Sequence, residues 1–200
     1  GLDNSEVTGG IDAFALGIYS VNPDAKVYVK VTNSWYDPKG EEEAAKTLLN
    51  MNCDVIAQHC DTVYPQTLAQ EKGVYSIGYN SDMSKEAPEA CLCSVIWNWS
   101  AYYTSAVQSV IDGTWDGSNY YGGMNENLVS ITPVADFAVD TTQEKVNVAK
   151  QQILSGKNGV FDGVIETNTG ATVGTAGKTL EDSVITGGIN WYFKTVSVIE

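Results

Sequence analysis

Four short segments of the sequence concentrate side chains that can recognise a flat, polar ligand. Together they hold three tryptophans, three asparagines, two aspartates and the only histidine of the chain. Indole rings offer flat apolar faces, and amide and carboxylate groups offer hydrogen-bond donors and acceptors, so the combination predicts a site for a planar heteroaromatic molecule. The segments are residues 33–35, 59–62, 80–82 and 97–99.

Several of these side chains also have a purely structural interpretation. Trp35 is able to cover the edge of a sheet without touching a ligand. Asp61 is placed to cap a helix that follows through Thr62. Asn80 and Asp82 suit an Asx-turn, in which the side chain accepts a hydrogen bond from a backbone N–H two residues later. The sequence leaves these alternatives open.

The histidine and the last two tryptophans carry similar alternatives. His59 at the end of a strand is more often a hydrogen-bonded structural residue than a catalyst. Trp97 and Trp99 would point to opposite faces if their strand continues through both, because side chains alternate along a strand. We therefore expect at most one of the two indoles to line a cleft.

Catalytic motifs are sparse in this sequence. It contains no G-x-S-x-G elbow, no Walker loop and no G-x-G-x-x-G after a strand. A local dyad of His59 and Asp61 is conceivable. No serine or cysteine nucleophile is marked by its context, because Cys60 lies between them and would point the other way. We expect a binding protein with no enzymatic activity, cofactor or metal. The alternative is an α/β hydrolase of nucleosides or glycosides that uses Asp61, Asp82 and His59.

Alternating helices and strands must position the four segments. Strands followed by helices at this rhythm are typical of βαβ units, so the first half predicts an α/β fold with a parallel sheet flanked by helices. Each segment then follows a strand, at the edge where open parallel sheets bind ligands. The predicted strands are 26–32, 54–59, 74–79 and 92–97, and the predicted helices are 7–18, one that begins at Asp37-Pro38, Tyr64–Lys72 and Ser100–Ile111.

The second half of the sequence is less regular. Residues 128–131 resemble a strand, and the apolar spacing over Thr142–Leu154 predicts a helix that buries Val146, Ala149 and Ile153. The rest is rich in glycine, threonine and asparagine, which favours loops and short strands.

The amino-acid composition and the net charge disfavour some classes of binding partner. The 200 residues are 43% hydrophobic and 18% charged, as expected of a folded globular protein. The net charge of -14 opposes binding to nucleic acid or to anionic lipid surfaces. Residues 1–8 lack the basic start and apolar stretch of a signal peptide, so any export signal or anchor is expected outside this sequence.

The four cysteines fit no zinc-binding spacing. They are Cys53, Cys60, Cys91 and Cys93. Burial as small apolar side chains is the expectation for them. A disulfide between Cys91 and Cys93 is not expected, because side chains two apart on a strand lie about 7 Å apart, against a Cβ spacing near ~3.8 Å in a disulfide.

Long stretches of the sequence resemble the basic-membrane-protein family of ABC-transporter solute-binding lipoproteins. The similarity is carried by TGGIDAFALGIYSVNPDAKVYVKVTNSWYDPKGEEEAAKTLLNMNCDVIAQHCDTVYPQTLAQEKGVYSIGYNSDMS, and it continues in SVIWNWSAYYTSAVQSVIDGTW and YYGGMNENLVSITP. It covers nearly the whole chain.

The resemblance implies a type I periplasmic-binding fold, in which two α/β lobes joined by crossing strands close on a ligand. Residues 1–97 would form the second lobe, and residues 98–200 would return to the first lobe and cross between lobes. Most of the first lobe would be missing, so the chain is expected to be a fragment or a separate domain. Its exposed first-lobe elements would then favour association. The implied function is capture of a purine base or nucleoside outside the cytoplasmic membrane, by a cell-surface lipoprotein or a periplasmic protein, for ABC permease subunits. A ligand-sensing domain shares this fold.

The resemblance also implies a ligand site. Trp35 stands where nucleoside-binding relatives carry a phenylalanine that stacks on the base. Asn80 replaces an aspartate that binds ribose, and Trp97 replaces a lysine that reaches the sugar. These changes favour a bare base such as adenine, and His59 and Asp61 match a histidine and an aspartate of the adenine-binding branch. Asn33, in the same NSW segment as Trp35, completes the expected site.

Overall fold

Six helices and eight strands are described by the computed structural model, which covers residues 1–199. The helices are α1 (Ser5–Val21), α2 (Pro38–Asn50), α3 (Tyr64–Lys72), α4 (Ser100–Ile111), α5 (Thr142–Leu154) and α6 (Asp182–Gly187). The strands are β1 (Val27–Lys30), β2 (Val55–Ala57), β3 (Tyr75–Asn80), β4 (Cys91–Trp97), β5 (Val129–Ile131), β6 (Asp162–Glu166), β7 (Thr172–Thr179) and β8 (Val196–Ile199).

The main sheet has four strands in the order β2-β3-β4-β5. The first three are parallel, with Ile56 opposite Ser76 and Ile77 opposite Cys93, and β5 is antiparallel to β4 at the edge. Helices α2 and α3 pack against each other, and α3 covers β2 and β3. The predicted α/β architecture with a parallel sheet flanked by helices is confirmed.

Strand β1 pairs with β8 from the far end of the chain and not with β2. The pairing is parallel and joins Val27 to Val196 and Val29 to Val198. A separate antiparallel hairpin is formed by β6 and β7. Sequence periodicity predicts that β1 is a strand but carries no information on its partner, because apolar alternation is the same for any neighbour.

The largest core joins the beginning and the end of the chain. Ala15 of α1 and Val29 of β1 are buried together with Phe161, Ile165 and Phe193. The division of the chain at residue 97 stays a prediction. In the structure, the part of the chain that contains Phe161, Ile165 and Phe193 shares a core with α1.

The ends of two helices follow from local chemistry that the sequence predicts. The Asp37 side chain caps α2 by accepting a hydrogen bond from the Gly40 N–H at 3.0 Å, with Pro38 in the first turn. Helix α3 ends at Gly73, whose φ of 74° is left-handed and free of strain only for glycine.

Helices α4 and α5 bury no residue. The prediction that Val146, Ala149 and Ile153 are buried is therefore wrong, and Ile153 is 38% exposed. The physical reason is that the described residues supply no packed layer over the apolar side of α5. Across residues 1–199, none of the helices combines the length and apolar character that crossing a membrane demands.

The four cysteines are free thiols in the described residues. Cys60 and Cys91 are buried, and Cys53 and Cys93 are half-buried. Burial raises the pKa of the Cys53 and Cys93 thiols, so both stay protonated and weakly nucleophilic near neutral pH.

Asp12 is a buried carboxyl group that ties α1 to the end of the chain. It has no exposed surface, and its Oδ1 accepts a hydrogen bond from the Phe193 N–H at 2.7 Å. The second oxygen, Oδ2, has no hydrogen-bond partner. Burial raises the pKa of Asp12 to about 7, and the Phe193 hydrogen bond offsets part of that rise.

We expect Asp12→Asn to change how stability depends on pH. The folded protein holds the Asp12 proton up to pH of about 7, whereas the unfolded chain releases it near 3.8, so stability falls as the pH rises between these values. Between pH 5 and 8 the loss is up to about 3 kcal/mol, because one pKa unit is about 1.36 kcal/mol. Urea unfolding of the unmodified protein and of Asp12→Asn at pH 5, 6, 7 and 8 measures this pH-dependent loss of stability. A difference between the two proteins that does not vary with pH contradicts this role of Asp12.

Candidate ligand-binding site

An aromatic row lies at the carboxyl ends of the parallel strands. The rings of Trp35 and His59 are 5.9 Å apart, and those of His59 and Tyr79 are 4.3 Å apart. The Trp97 indole lies beside the Tyr79 hydroxyl and continues to Trp99, with ring centroids 5.2 Å apart and nearly parallel planes. The parallel strands β2, β3 and β4 end at one edge, so the three loops that follow them contribute to one surface. The loop after β1 joins them through the hydrogen bond from the Asp61 N–H to the Trp35 carbonyl.

Tyr79 is a member of this row that sequence reasoning missed. It is the last residue of β3 before Asn80, opposite Val95 of β4. The side chains of the last residues within a strand reach the same edge as those of the residues that follow it. An aromatic residue directly before Asn80 was the available signal.

The polar half of the site joins two neighbouring loops. Asn80 Nδ2 donates a hydrogen bond to Asp61 Oδ1 at 3.1 Å, and both residues are exposed. Asn33 and Asn80 have positive φ values of 54° and 70°, a conformation that asparagine tolerates better than most residues. Asn33 is also exposed, and its backbone N–H donates to Gly1. Exposed acceptors therefore border the aromatic row.

The structure decides two of the structural alternatives. Asp61 does not cap α3, whose N-cap residue is Val63 and has no side-chain cap. Its carboxylate accepts from Asn80, and its own N–H donates to the Trp35 carbonyl at 2.9 Å. Asp82 forms the expected Asx-turn by accepting from the Ser84 N–H at 3.0 Å, and this bond lowers the pKa of Asp82.

The strand does not continue through both Trp97 and Trp99, which was the condition for these side chains to point to opposite faces. Strand β4 ends at Trp97, and Trp99 already has helical angles, φ −59° and ψ −25°, at the start of α4. Strand alternation no longer applies beyond the strand end, so both indoles stack on one side. Trp97 is half-buried, and Trp99 is 48% exposed.

Electrostatics make His59 a neutral group. Burial, with a smaller contribution from the Gly1 amino group, lowers the pKa of His59 to about 4, and Asp61 partly opposes this shift. Helix α1 contributes to the burial, since a Cβ on Gly10 would lie 3.7 Å from His59 Nε2. Nδ1 is buried without a hydrogen-bond partner. A catalytic histidine base is normally oriented by a hydrogen bond to another group. The described contacts of His59 include no such hydrogen bond.

The site can now be compared with known proteins. A profile of the family described as PnrA-like ABC transporter substrate-binding proteins matches residues 1–161. The chain belongs to this family. The matched region contains α1 to α5, and thus the whole aromatic row and the Asp61–Asn80 pair.

Two curated relatives of this PnrA-like chain differ in the ligand that their names state. A purine-binding protein of Brucella abortus is 37% identical over 94% of the chain and 53% of its own length. A Haloferax volcanii protein, whose name assigns it glucose binding for an ABC transporter, is 34% identical over 79% of the chain and 40% of its own length. The chain spans about half the length of the curated relatives it matches.

Solved structures support the fold. A transcriptional activator of the comK gene from Bacillus halodurans aligns with a TM-score of 0.59 at 17% identity, over 78% of the chain and 64% of its own. An ABC transporter solute-binding protein from Conexibacter woesei aligns with a TM-score of 0.55 at 17% identity, over 78% and 61%. These similarities establish the fold alone.

His59 is expected to stay neutral from pH 5 to pH 8. Since it is the only histidine, its imidazole resonances can be assigned without ambiguity in an NMR titration. The expected shifts are flat over this range, whereas the same protein in urea titrates near the ordinary value of about 6.5. A midpoint above about 6 in the folded protein would show that burial does not control this group.

Proposed function

We propose that the protein is the extracytoplasmic solute-binding component of an ABC importer, and that it captures a purine base, adenine-like, or a nucleoside. The observation that carries the proposal is the half-buried Trp35 beside His59, with the Asp61–Asn80 pair at the same sheet edge. Family membership supports a solute-binding role, and the Brucella relative named as purine-binding supports the ligand class. The permease subunits of the importer would be the protein partners, and the protein would act in the periplasm or as a cell-surface lipoprotein.

Trp35 would supply the flat face of the site. A purine ring stacked on the indole gains contact area together with the aromatic interaction, and His59 and Tyr79 continue the apolar wall behind it. Trp97 would close this wall on the side of β4, where the resemblance places a sugar-binding lysine in nucleoside-binding relatives. An indole at this position favours a bare base over a nucleoside.

The polar pair would read the edge of the base. Because Asn80 Nδ2 donates to Asp61 Oδ1, the groups left for a ligand are chiefly acceptors, Asp61 Oδ2 and Asn80 Oδ1. Acceptors pair with an exocyclic amine such as that of adenine. The exposed Asn33 amide lies after β1 and would add a contact at the rim.

A hydrolytic role has little support. The family and the solute-binding structures it resembles are not enzymes. A neutral, unoriented His59 is a poor partner for a catalytic carboxylate, and Asp61 is engaged by Asn80. We therefore propose binding without turnover.

Replacing Trp35 tests the proposed stacking. In the full-length protein, Trp35→Ala should weaken adenine binding by roughly 2–4 kcal/mol, as at an interface hot spot, and Trp35→Phe should retain most of the affinity because a flat face remains. Calorimetry with adenine, adenosine and glucose, together with melting temperatures, measures both effects. Trp115→Ala removes a tryptophan that is 47% exposed outside the site, and serves as the control.

The competing interpretation of Trp35 predicts a different pattern. If the indole only covers the sheet edge, Trp35→Ala lowers the melting temperature and leaves the adenine affinity nearly unchanged. Glucose binding that is tighter than adenine binding in the unmodified protein would instead place the chain with the Haloferax relative.

A further inference from the structure

Beneath the candidate site lies a buried carboxylate that the proposed ligand contacts do not use. Glu41, in the first turn of α2, is only 2% exposed. The ion pairs described within residues 1–199 involve other glutamates and no cation pairs with Glu41. A buried carboxylate is costly unless hydrogen bonds satisfy it, so its partners have to be held in place.

The two oxygens of Glu41 bind two different loops. Oε1 accepts from the Asp37 N–H at 3.1 Å, in the loop between β1 and α2. Oε2 accepts from the Thr62 N–H at 3.3 Å and the Thr62 hydroxyl at 2.5 Å, in the loop between β2 and α3. Both carboxyl oxygens of Glu41 thus connect the two loops by hydrogen bonds.

These loops carry the two main groups of the candidate site. Asp37 is two residues after Trp35, and Thr62 directly follows Asp61. A backbone hydrogen bond from the Asp61 N–H to the Trp35 carbonyl, 2.9 Å long, adds a second connection between the loops. Glu41 therefore spans the gap between the loop with the indole and the loop with the carboxylate.

Two glutamines, the half-buried Gln58 and the buried Gln66, extend the connection to β3. Gln58 Nε2 donates to the Thr62 carbonyl and to Gln66 Oε1, both at 2.7 Å. Gln66 is fully buried, and its Nε2 donates to the Ile77 carbonyl of β3 at 3.0 Å. Asn80 is the last residue of that strand. The hydrogen bonds of the two glutamines therefore connect Thr62 to the strand that carries Asn80, the partner of Asp61.

We propose that Glu41 is a positioning residue for the ligand site: its contact with Thr62 holds Asp61 and Trp35 at the separation that a stacked, edge-bound ligand requires. The inference rests on the proposed function for its ligand, but the contact itself can be tested without one. Small displacements of binding groups cost affinity, so a residue that touches no ligand can set it.

Four variants separate positioning from general stability. Glu41→Gln keeps the shape but places an amide N–H against a donor, and Thr62→Val removes the hydroxyl donor while keeping the volume. Thr62→Ser retains the hydroxyl. Glu43→Gln is the matched control, since Glu43 lies on the same helix, is 68% exposed and pairs only with Lys39.

The first measurement is amide hydrogen exchange by NMR on the ligand-free full-length protein. Glu41→Gln and Thr62→Val should speed exchange at the Asp61 and Thr62 amides about ten-fold, and Thr62→Ser and Glu43→Gln should not. Equal protection of both amides in all variants would overturn the contact as a restraint. If Glu41→Gln does not fold, Thr62→Val against Thr62→Ser decides the result alone.

The second measurement is adenine affinity by calorimetry. Glu41→Gln and Thr62→Val should each weaken binding about ten-fold, and their combination should lose little more, because residues in one network are not additive. The loss should shrink when Trp35 is already alanine. Unchanged affinity in the two variants, or equal loss in Glu43→Gln, overturns the positioning role. Absence of adenine binding in the unmodified protein overturns the proposed function instead, while the exchange result still tests the contact.

Discussion

The parallel pairing of β2, β3 and β4 is the constraint on which the candidate site depends. Parallel strands end on the same side, so the loops after β2, β3 and β4, which are distant in sequence, meet at one edge. His59, Tyr79 and Trp97 form a row for this reason, although nothing in their local sequences brings them together. A shift in strand register would move these rings apart and separate Asp61 from Asn80.

Loops at a sheet edge need support that the strands do not give. Here the support is polar: the buried Glu41 joins two loops through Asp37 and Thr62, and Gln58 and Gln66 continue the hydrogen bonds to β3. Hydrogen bonds are directional, so they fix loop positions more specifically than apolar contacts do. The exposed Asp61–Asn80 pair therefore lies on a loop and a strand that these hydrogen bonds connect.

Features of the fold that depend on neighbouring residues could be predicted from the sequence. Features that depend on pairing between distant strands could not. The Asp37 cap and the Gly73 terminus depend on neighbouring residues, so the start of α2 and the bounds of α3 could be predicted. The pairing of β1 with β8 could not, because a strand pattern does not specify its partner. Strand alternation does not place Trp99, because β4 ends at Trp97. Tyr79 lies within β3 and not after it, so the residues that follow the strands do not include it. The roles of the site residues remain predictions.

Recognition of a purine by Trp35 and its neighbours can be tested directly by identifying the small molecules that remain bound to the protein during purification. The full-length protein would be purified under native conditions, denatured, and its released small molecules identified by mass spectrometry, with Trp35→Ala protein treated in parallel. We expect a purine base, adenine or a close analogue, in the unmodified protein and its depletion from the Trp35→Ala protein. A hexose or another non-aromatic solute in its place, retained equally by both proteins, would show that Trp35 does not recognise a purine.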